Sequence, residues 1–419
     1  MVRAVGWMAG IGAGLLALLL LAAGLLHMWL GRETVRAQLQ QQAQDALGVP
    51  VAIERLGLGW WGGPALAAEG LTLATQPALQ LRELRLRPAW GALARGRLEL
   101  DAVALRGLTL PLAGIQALGK ALGRPAAPAA GTVPMPLPRR LLLQEVRLEG
   151  AGGQFMLLDA RALLDDDLWP AQLELEVLQG RLAGSHLQLQ RQSPQRWQLR
   201  LAVAGGTVQG PLDLVWPQRP GGEYRIQGEL QTRAVELSQL TAPQPRPEVW
   251  ARQPLAGRLE AQTVLQARAR QLGGLLDALV TQSSFTVQQA VLQGVDLVKA
   301  VQTVGVSRGG RTVLETLAGQ VTTRGKTVEL HNLVASAGPL SASGQVQVSA
   351  QQELSGRVQV ALGGAVAVPL LVGGTVDEPQ VSLTAGAKIG AAIGTLLMPG
   401  VGTGAGASVG GKLGEWLGK

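Results

Sequence analysis

Aliphatic and polar residues alternate along most of this 419-residue chain, and the alternation restricts the fold more than any other feature. Leu173, Leu175 and Val177 are separated by Glu residues, and Leu199 and Leu201 are separated by Arg. Successive side chains of a β-strand point to opposite faces, so period two predicts strands with one aliphatic and one polar face. The sequence therefore predicts a mainly β protein of antiparallel strands, in which Gly and Pro mark the turns.

Other segments show the same period or break it. Further alternating pairs are Leu79/Leu81, Leu84/Leu86, Leu98/Leu100, Val103/Leu105, Leu108/Leu110, Leu187/Leu189, Val346/Val348 and Val358/Val360. Apolar residues three and four apart predict a short amphipathic helix over Arg32–Leu47. Leu and Val at helical spacing in Ala269–Val280 and Val295–Val304 predict a helical interruption within about 269–318, to which Arg311–Leu317 is predicted to add a further turn.

Residues 4–31 contain no charged side chain and carry Trp7 and Trp29 near their ends. A helix needs about 20 apolar residues to cross a bilayer, and Trp is favoured at the interfaces. A cleaved signal peptide is the competing interpretation, but its apolar core is shorter, about 7–15 residues. The segment predicts an uncleaved transmembrane anchor with the large body on one side of the membrane.

Composition argues against several classes of site. The chain has no Cys, two Phe, one Tyr and three isolated His, and its net charge of +8 is scattered. Nucleic-acid binding needs clustered basic residues, usually with aromatic residues for stacking. The run Asp165-Asp166-Asp167 is more typical of a solvated turn than of a metal site, and no His follows Ser408 to complete the serine-hydrolase pattern at Gly406–Gly410. We therefore expect no enzyme activity, cofactor, metal site or nucleic-acid partner.

The segment 385–419 repeats glycine every fourth residue, in two halves around Pro399-Gly400. Such spacing lines one helix face with glycine and allows two backbones to approach closely. It predicts a glycine-zipper hairpin that inserts in a membrane or self-associates; a flexible tail or a plug over the end of the sheet is the alternative. The zipper positions are Gly386, Gly390, Gly394, Gly402, Gly406, Gly410, Gly414 and Gly418.

The aliphatic faces of the strands must be covered by something. A closed sandwich or barrel is the ordinary solution, and an open curved sheet with a lipid-filled groove is the alternative. The dominance of Leu and Val over large rings leans towards the groove. The candidate groove residues are Leu173, Leu175, Val177, Leu199, Leu201, Val346, Val348, Val358 and Val360.

Several segments resemble the AsmA family, in matching order. Besides the anchor, the helix and the strand pair around Leu84–Leu100, the segments are Gly294–Ala300 (GVDLVKA), Thr312–Gly319, Leu333–Gly344 and Pro369–Leu383 (PLLVGGTVDEPQVSL). The resemblance implies an inner-membrane anchor, a periplasmic β-rich body with a taco-like hydrophobic groove, and a role in phospholipid transport and outer-membrane biogenesis. The implied partners are phospholipids, the inner membrane and the outer membrane or one of its proteins.

The expected organisation has six parts: an anchor (1–31), an N-terminal helix and β region (32–118), a Pro/Ala linker (119–140), a central β region (141–268), a C-terminal region (269–384) and the glycine tail (385–419). The competing function is a structural or secretion-assembly component with a closed β core and no lipid cargo.

Overall fold

The computed structural model describes residues 33, 36, 37, 40, 41, 44 and 50–384, except 75–77, 94, 96–98, 112–137, 150–154, 166–168, 181, 216–221, 241–254, 271–273, 276, 303–308, 364–366 and 377. The predicted anchor, the glycine tail and nearly all of the predicted linker lie outside these residues. The six described residues between 33 and 44 are helical, as predicted. No helix within the described residues is long and apolar enough to span a bilayer.

The chain divides into two compact units, residues 1–183 and 184–419. Within the described residues, unit 1 contains β-strands and one short helix in addition to the helical residues between 33 and 44. Its elements are β1 (Val51–Trp60), β2 (Pro64–Leu73), β3 (Leu79–Pro88), α1 (Trp90–Leu93), β4 (Leu100–Pro111), β5 (Arg140–Glu149), β6 (Phe155–Leu164) and β7 (Pro170–Gln179).

The strands of unit 1 lie side by side in chain order. Every neighbouring pair is antiparallel except β4 and β5, which are parallel with Ala102 opposite Arg140. This pair corrects the prediction of a purely antiparallel sheet. Parallel neighbours need a crossover that returns the chain to the starting end of the sheet, and here the predicted linker lies within that connection.

A transverse line of irregular residues crosses unit 1 and changes which side chains share a face. Gly70 in β2 and Gly107 in β4 have φ of 64° and 66°, a left-handed conformation that glycine adopts without a Cβ clash. On either side of this line the apolar residues are three apart, so that Ala68 and Leu71 join one cluster. Glu145, with φ of 53°, continues the line where the β5–β6 register shifts.

Within the described residues, unit 2 consists of further β-strands and two short helices. Its elements are β8 (His186–Ser193), β9 (Arg196–Val203), β10 (Gly206–Val215), β11 (Tyr224–Glu236), α2 (Leu237–Leu240), β12 (Leu255–Ala269), β13 (Val280–Gln293), α3 (Leu297–Gln302), β14 (Arg311–Val313), β15 (Thr316–Arg324), β16 (Thr327–Ala337), β17 (Leu340–Val348), β18 (Leu354–Leu362), β19 (Val368–Gly374) and β20 (Pro379–Leu383).

These strands are antiparallel neighbours in chain order, and β13 pairs with both β14 and β15. Among the described residues, β8 and β20 do not pair with each other, so the sheet of unit 2 is open. Bulges recur here too: Ala234, Gln289 and Asn332 have positive φ beside register shifts in β11, β13 and β16.

The helix predictions within 269–318 are partly confirmed. The segment Val295–Val304 contains α3. The segment Ala269–Val280 instead ends β12, turns and begins β13, and Arg311–Leu317 contains β14 and the start of β15. The predictions at those two segments are wrong. In Arg311–Leu317, Thr312 and Leu314 are buried while Val313 is 58% exposed, which is the period of a strand.

Candidate functional site: the aliphatic sheet faces

The candidate residues of β9 lie in a row of aliphatic side chains in unit 2. Leu199 is opposite Leu189 of β8 and Gly210 of β10, and Leu201 is opposite Leu187 and Val208. These leucines are only partly buried. In a closed sandwich, inward-facing residues at mid-strand fill a core between two sheets. In this open sheet, Leu199 and Leu201 keep part of their side chains exposed, between Trp197 and Val203, which are buried on the same face of β9.

The candidate residues of β17 and β18 share one face at the other side of unit 2. Val346 is opposite Gly356, Val348 is opposite Leu354, and Val358 is opposite Gly344. Val346, Val348 and Val358 are partly buried. Their polar neighbours, among them Gln345 and Arg357, alternate with them and are exposed, so the predicted division into two faces is present.

Val360 differs from Val346, Val348 and Val358 because it is fully buried. It belongs to a closed cluster with Val287, Ala300, Leu314 and Leu370. This cluster fills the end of unit 2 where α3 packs, so Val360 is not available to a ligand. Its inclusion among the groove residues is corrected: at this end the chain covers its own aliphatic face.

The segment GVDLVKA builds that closed end. The Asp296 carboxylate accepts a hydrogen bond from the Lys299 amide at 2.9 Å, which caps the start of α3. The buried Thr312 hydroxyl donates to the Val295 carbonyl at 2.8 Å and accepts from the Leu297 amide at 3.0 Å. The segment therefore has a structural role, fixing a short helix over the sheet.

In unit 1 the three candidates of β7 face one side of the sheet. Leu173 is opposite Ala162, Leu175 is opposite Ala160, and Val177 is opposite Leu158. Leu175 packs against the cluster of Val146, Leu158 and Ala160, and Val177 is only 4% exposed. Leu173 and Leu175 are partly buried. Val177 is buried under the protein's own side chains, so its inclusion among the groove residues is corrected.

The aliphatic face of unit 2 is interrupted by hydroxyl groups that the alternating pattern did not predict. Thr263 and Ser283 are cross-strand neighbours joined by a hydrogen bond of 2.8 Å. Thr281 and Thr323 are paired beside them, opposite each other on β13 and β15. The signal was present in the sequence, because Thr281-Gln282-Ser283-Ser284 has polar residues on both faces.

Two depressions of unit 2 are lined mainly by residues of the opposite, polar face. One has a volume of about 1030 Å³ and another about 610 Å³. The side chains around the first belong mainly to the polar positions Gln198, Arg200, Gln209, Glu229, Gln231, Gln262, Gln282, Ser284, Gln320 and Thr322. Amide, hydroxyl and charged groups do not suit an acyl chain, so these depressions are not the lipid site that the aliphatic face predicts.

Arginines on the sheets are engaged by carboxylates. In unit 1, Glu145 pairs with Arg106 at 2.7 Å and with Arg82 at 3.0 Å. The hydrogen bond and charge of Arg106, with the charge of Arg82, lower the pKa of Glu145. In unit 2, Arg196 binds both oxygens of Asp213, at 2.7 and 3.0 Å, and lowers the pKa of Asp213. These arginines primarily join strands.

No group of three or more His, Cys, Asp or Glu side chains that could hold a metal occurs within the part of the chain that the structure describes. His331 lies 3.4 Å from Glu329, an exposed pair on one strand. Comparison of the chain with protein-family models, with curated proteins and with solved structures gives no match.

Proposed function

We propose that this chain is a non-enzymatic, AsmA-like lipid-binding protein. Its aliphatic sheet face binds the acyl chains of phospholipids, and it supports phospholipid transport and outer-membrane biogenesis. The observation that carries the proposal is the row of partly buried leucines on β8 and β9, with the partly buried Val346 and Val348 of β17, in an open sheet. The segment 4–31 anchors it in the inner membrane with the body in the periplasm, and the glycine tail contacts a membrane or a second copy.

The energetic reason is the cost of hydrocarbon in water. An acyl chain of about 16 methylenes costs on the order of 13 kcal/mol to expose, at about 0.8 kcal/mol each. A carrier lowers this cost with continuous aliphatic surface and needs no catalytic group. Leu199, Leu201 and their neighbours on β8 and β10 provide such surface over three consecutive strands.

The second candidate is a structural or secretion-assembly component with a closed core. It is favoured by the cluster around Val360 and Leu370, which shows that one end of the face packs internally. The two candidates differ in what the remaining face contacts: lipid in the first, protein in the second.

Native mass spectrometry of the full chain, purified in mild detergent, tests the proposal. We expect bound phospholipid on the wild-type chain and clear loss of it when Leu199 and Leu201 are both replaced by Asn. The control replaces Arg200, between them on the polar face, by Ser and should keep the lipid. A wild-type chain that carries no phospholipid contradicts the proposal and favours the structural candidate.

A further inference from the structure

Exposed tryptophans gather at one end of the sheet in unit 1. Trp60 and Trp61 lie where β1 turns into β2, and Trp90 begins α1 directly after β3. Trp60 is 78% exposed and Trp90 is 47% exposed, although large rings are usually mostly covered. Leu66 near the start of β2 and Leu163 near the end of β6 are also exposed at this end. An exposed apolar patch of this kind indicates an interaction surface.

The patch is held by a network of arginines. Arg87 stacks over the Trp61 ring at 5.1 Å, donates to the Trp61 carbonyl at 3.2 Å and pairs with Asp101 at 2.6 Å. Asp101 also accepts two hydrogen bonds from Arg140, at 2.8 and 2.9 Å. The network links the β1–β2 turn, which carries Trp60 and Trp61, to β3, β4 and β5, and so fixes the position of the turn on the sheet.

Trp90 belongs to the same patch. Its indole nitrogen lies 3.7 Å from the place that a Cβ on Gly63 would occupy, so the ring lies beside the β1–β2 turn. We call Trp60, Trp61, Trp90, Arg87 and Arg140 the tryptophan end. It combines rings that carry an N–H group with guanidinium groups, the chemistry favoured at the interface between acyl chains and headgroups.

The N-terminal helical residues run towards the same end. Gln40 donates to the Ile53 carbonyl, and Arg36 donates to the Glu54 carbonyl, one residue further along β1. From residue 40 back to residue 36, the chain therefore moves along β1 in the direction of Trp60. The uncharged segment 4–31, predicted to be a membrane anchor, precedes these residues, so the chain approaches the tryptophan end as it nears that segment.

We propose that the tryptophan end docks on the bilayer that holds the segment 4–31. The rings of Trp60 and Trp90 enter the interfacial layer, and the exposed side of the Arg140 guanidinium, which also pairs with Asp101, faces lipid phosphate. This contact orients unit 1 on the membrane surface and is separate from the binding of acyl chains along the aliphatic face. Membrane docking and acyl-chain binding both involve lipid, but a test can contradict one of them and leave the other standing.

The absence of cysteine makes a direct test possible. The full chain, with single substitutions Trp60→Cys, Trp90→Cys or Leu66→Cys, is labelled with bimane and reconstituted in phosphatidylcholine–phosphatidylglycerol vesicles with brominated acyl chains. Controls are Leu178→Cys, 40% exposed towards the opposite end of unit 1, and Val334→Cys, 58% exposed in unit 2. Leu66→Cys keeps both exposed tryptophans native.

We expect the labels at 60, 66 and 90 to lose a large part of their fluorescence to bromine and to shift to the blue, while the labels at 178 and 334 do neither. Quenching at 60 and 90 that does not exceed quenching at 178 overturns the proposal, as does a chain that fails to float with the vesicles. Quenching at 60 and 90 without any lipid on the aliphatic face supports docking and contradicts only the function proposed above.

Discussion

Replacing Leu199 or Leu370 by Asn, one at a time, distinguishes an open aliphatic face from a closed core. Leu370 is fully buried in the cluster of unit 2, whereas Leu199 is only partly buried. At Leu370 the change loses the burial of a leucine, about 1.5–3 kcal/mol, and buries an amide without partners, about 1–3 kcal/mol more. At Leu199 the amide reaches solvent, so only part of the burial is lost, about 1–2 kcal/mol.

Hydrogen exchange read by mass spectrometry measures both effects without requiring that the whole chain unfold in one step. We expect Leu370→Asn to lower the opening free energy of β18–β20 by about 3–5 kcal/mol. Leu199→Asn should lower that of β8–β10 by about 1–2 kcal/mol. Arg200→Ser on the polar face serves as the control and should change little. Equal, large losses at Leu199 and Leu370 would refute the idea that the face along β9 is open.

Three further changes test how the fold is held. Thr312→Val leaves the Leu297 amide and the Val295 carbonyl buried without their hydrogen-bond partner. The free energy of opening of the α3 region, measured by hydrogen exchange, should therefore fall by about 2–4 kcal/mol. Gly210→Ala places a methyl group on the backbone of β11 and should cost about 1–3 kcal/mol in urea unfolding, whereas Gly373→Ala, which has space, should cost little; equal effects would contradict the packing. Because the folded-state pKa of Glu145 is lowered, its contribution to stability is present above the unfolded pKa and lost as pH falls through the folded one. Glu145→Gln should therefore reduce the fall in urea stability between about pH 6 and about pH 3, and an unchanged pH profile would contradict this role.

The strands were predictable because their alternation is local. Leu79 and Leu81, Leu173 to Val177, and Val346 with Val348 all lie on strands as their period predicts. The division between an aliphatic and a polar face also follows from this period. The helix at 297–302 was predictable from apolar residues at helical spacing, and Asp296 caps it.

Other features depend on contacts between distant residues. The parallel pairing of β4 with β5 is a choice of partner that neither segment's own pattern records. The transverse line in unit 1 was visible only as a break between Leu81 and Leu84, three residues apart, which does not specify a left-handed Gly70. Closure of the core over Val360 depends on where α3 packs, so the alternating valines of β18 gave no sign of it.

The central claim is that the aliphatic face along β9 holds hydrocarbon. Photo-crosslinking tests it most directly, with benzoylphenylalanine placed at Leu199 in the membrane-associated full chain and, as the control, at Arg200 on the opposite face. We predict a mass increase equal to a phospholipid at position 199 and none at position 200. Crosslinks at 199 that join only protein, or lipid adducts that are as abundant at 200, would contradict the claim.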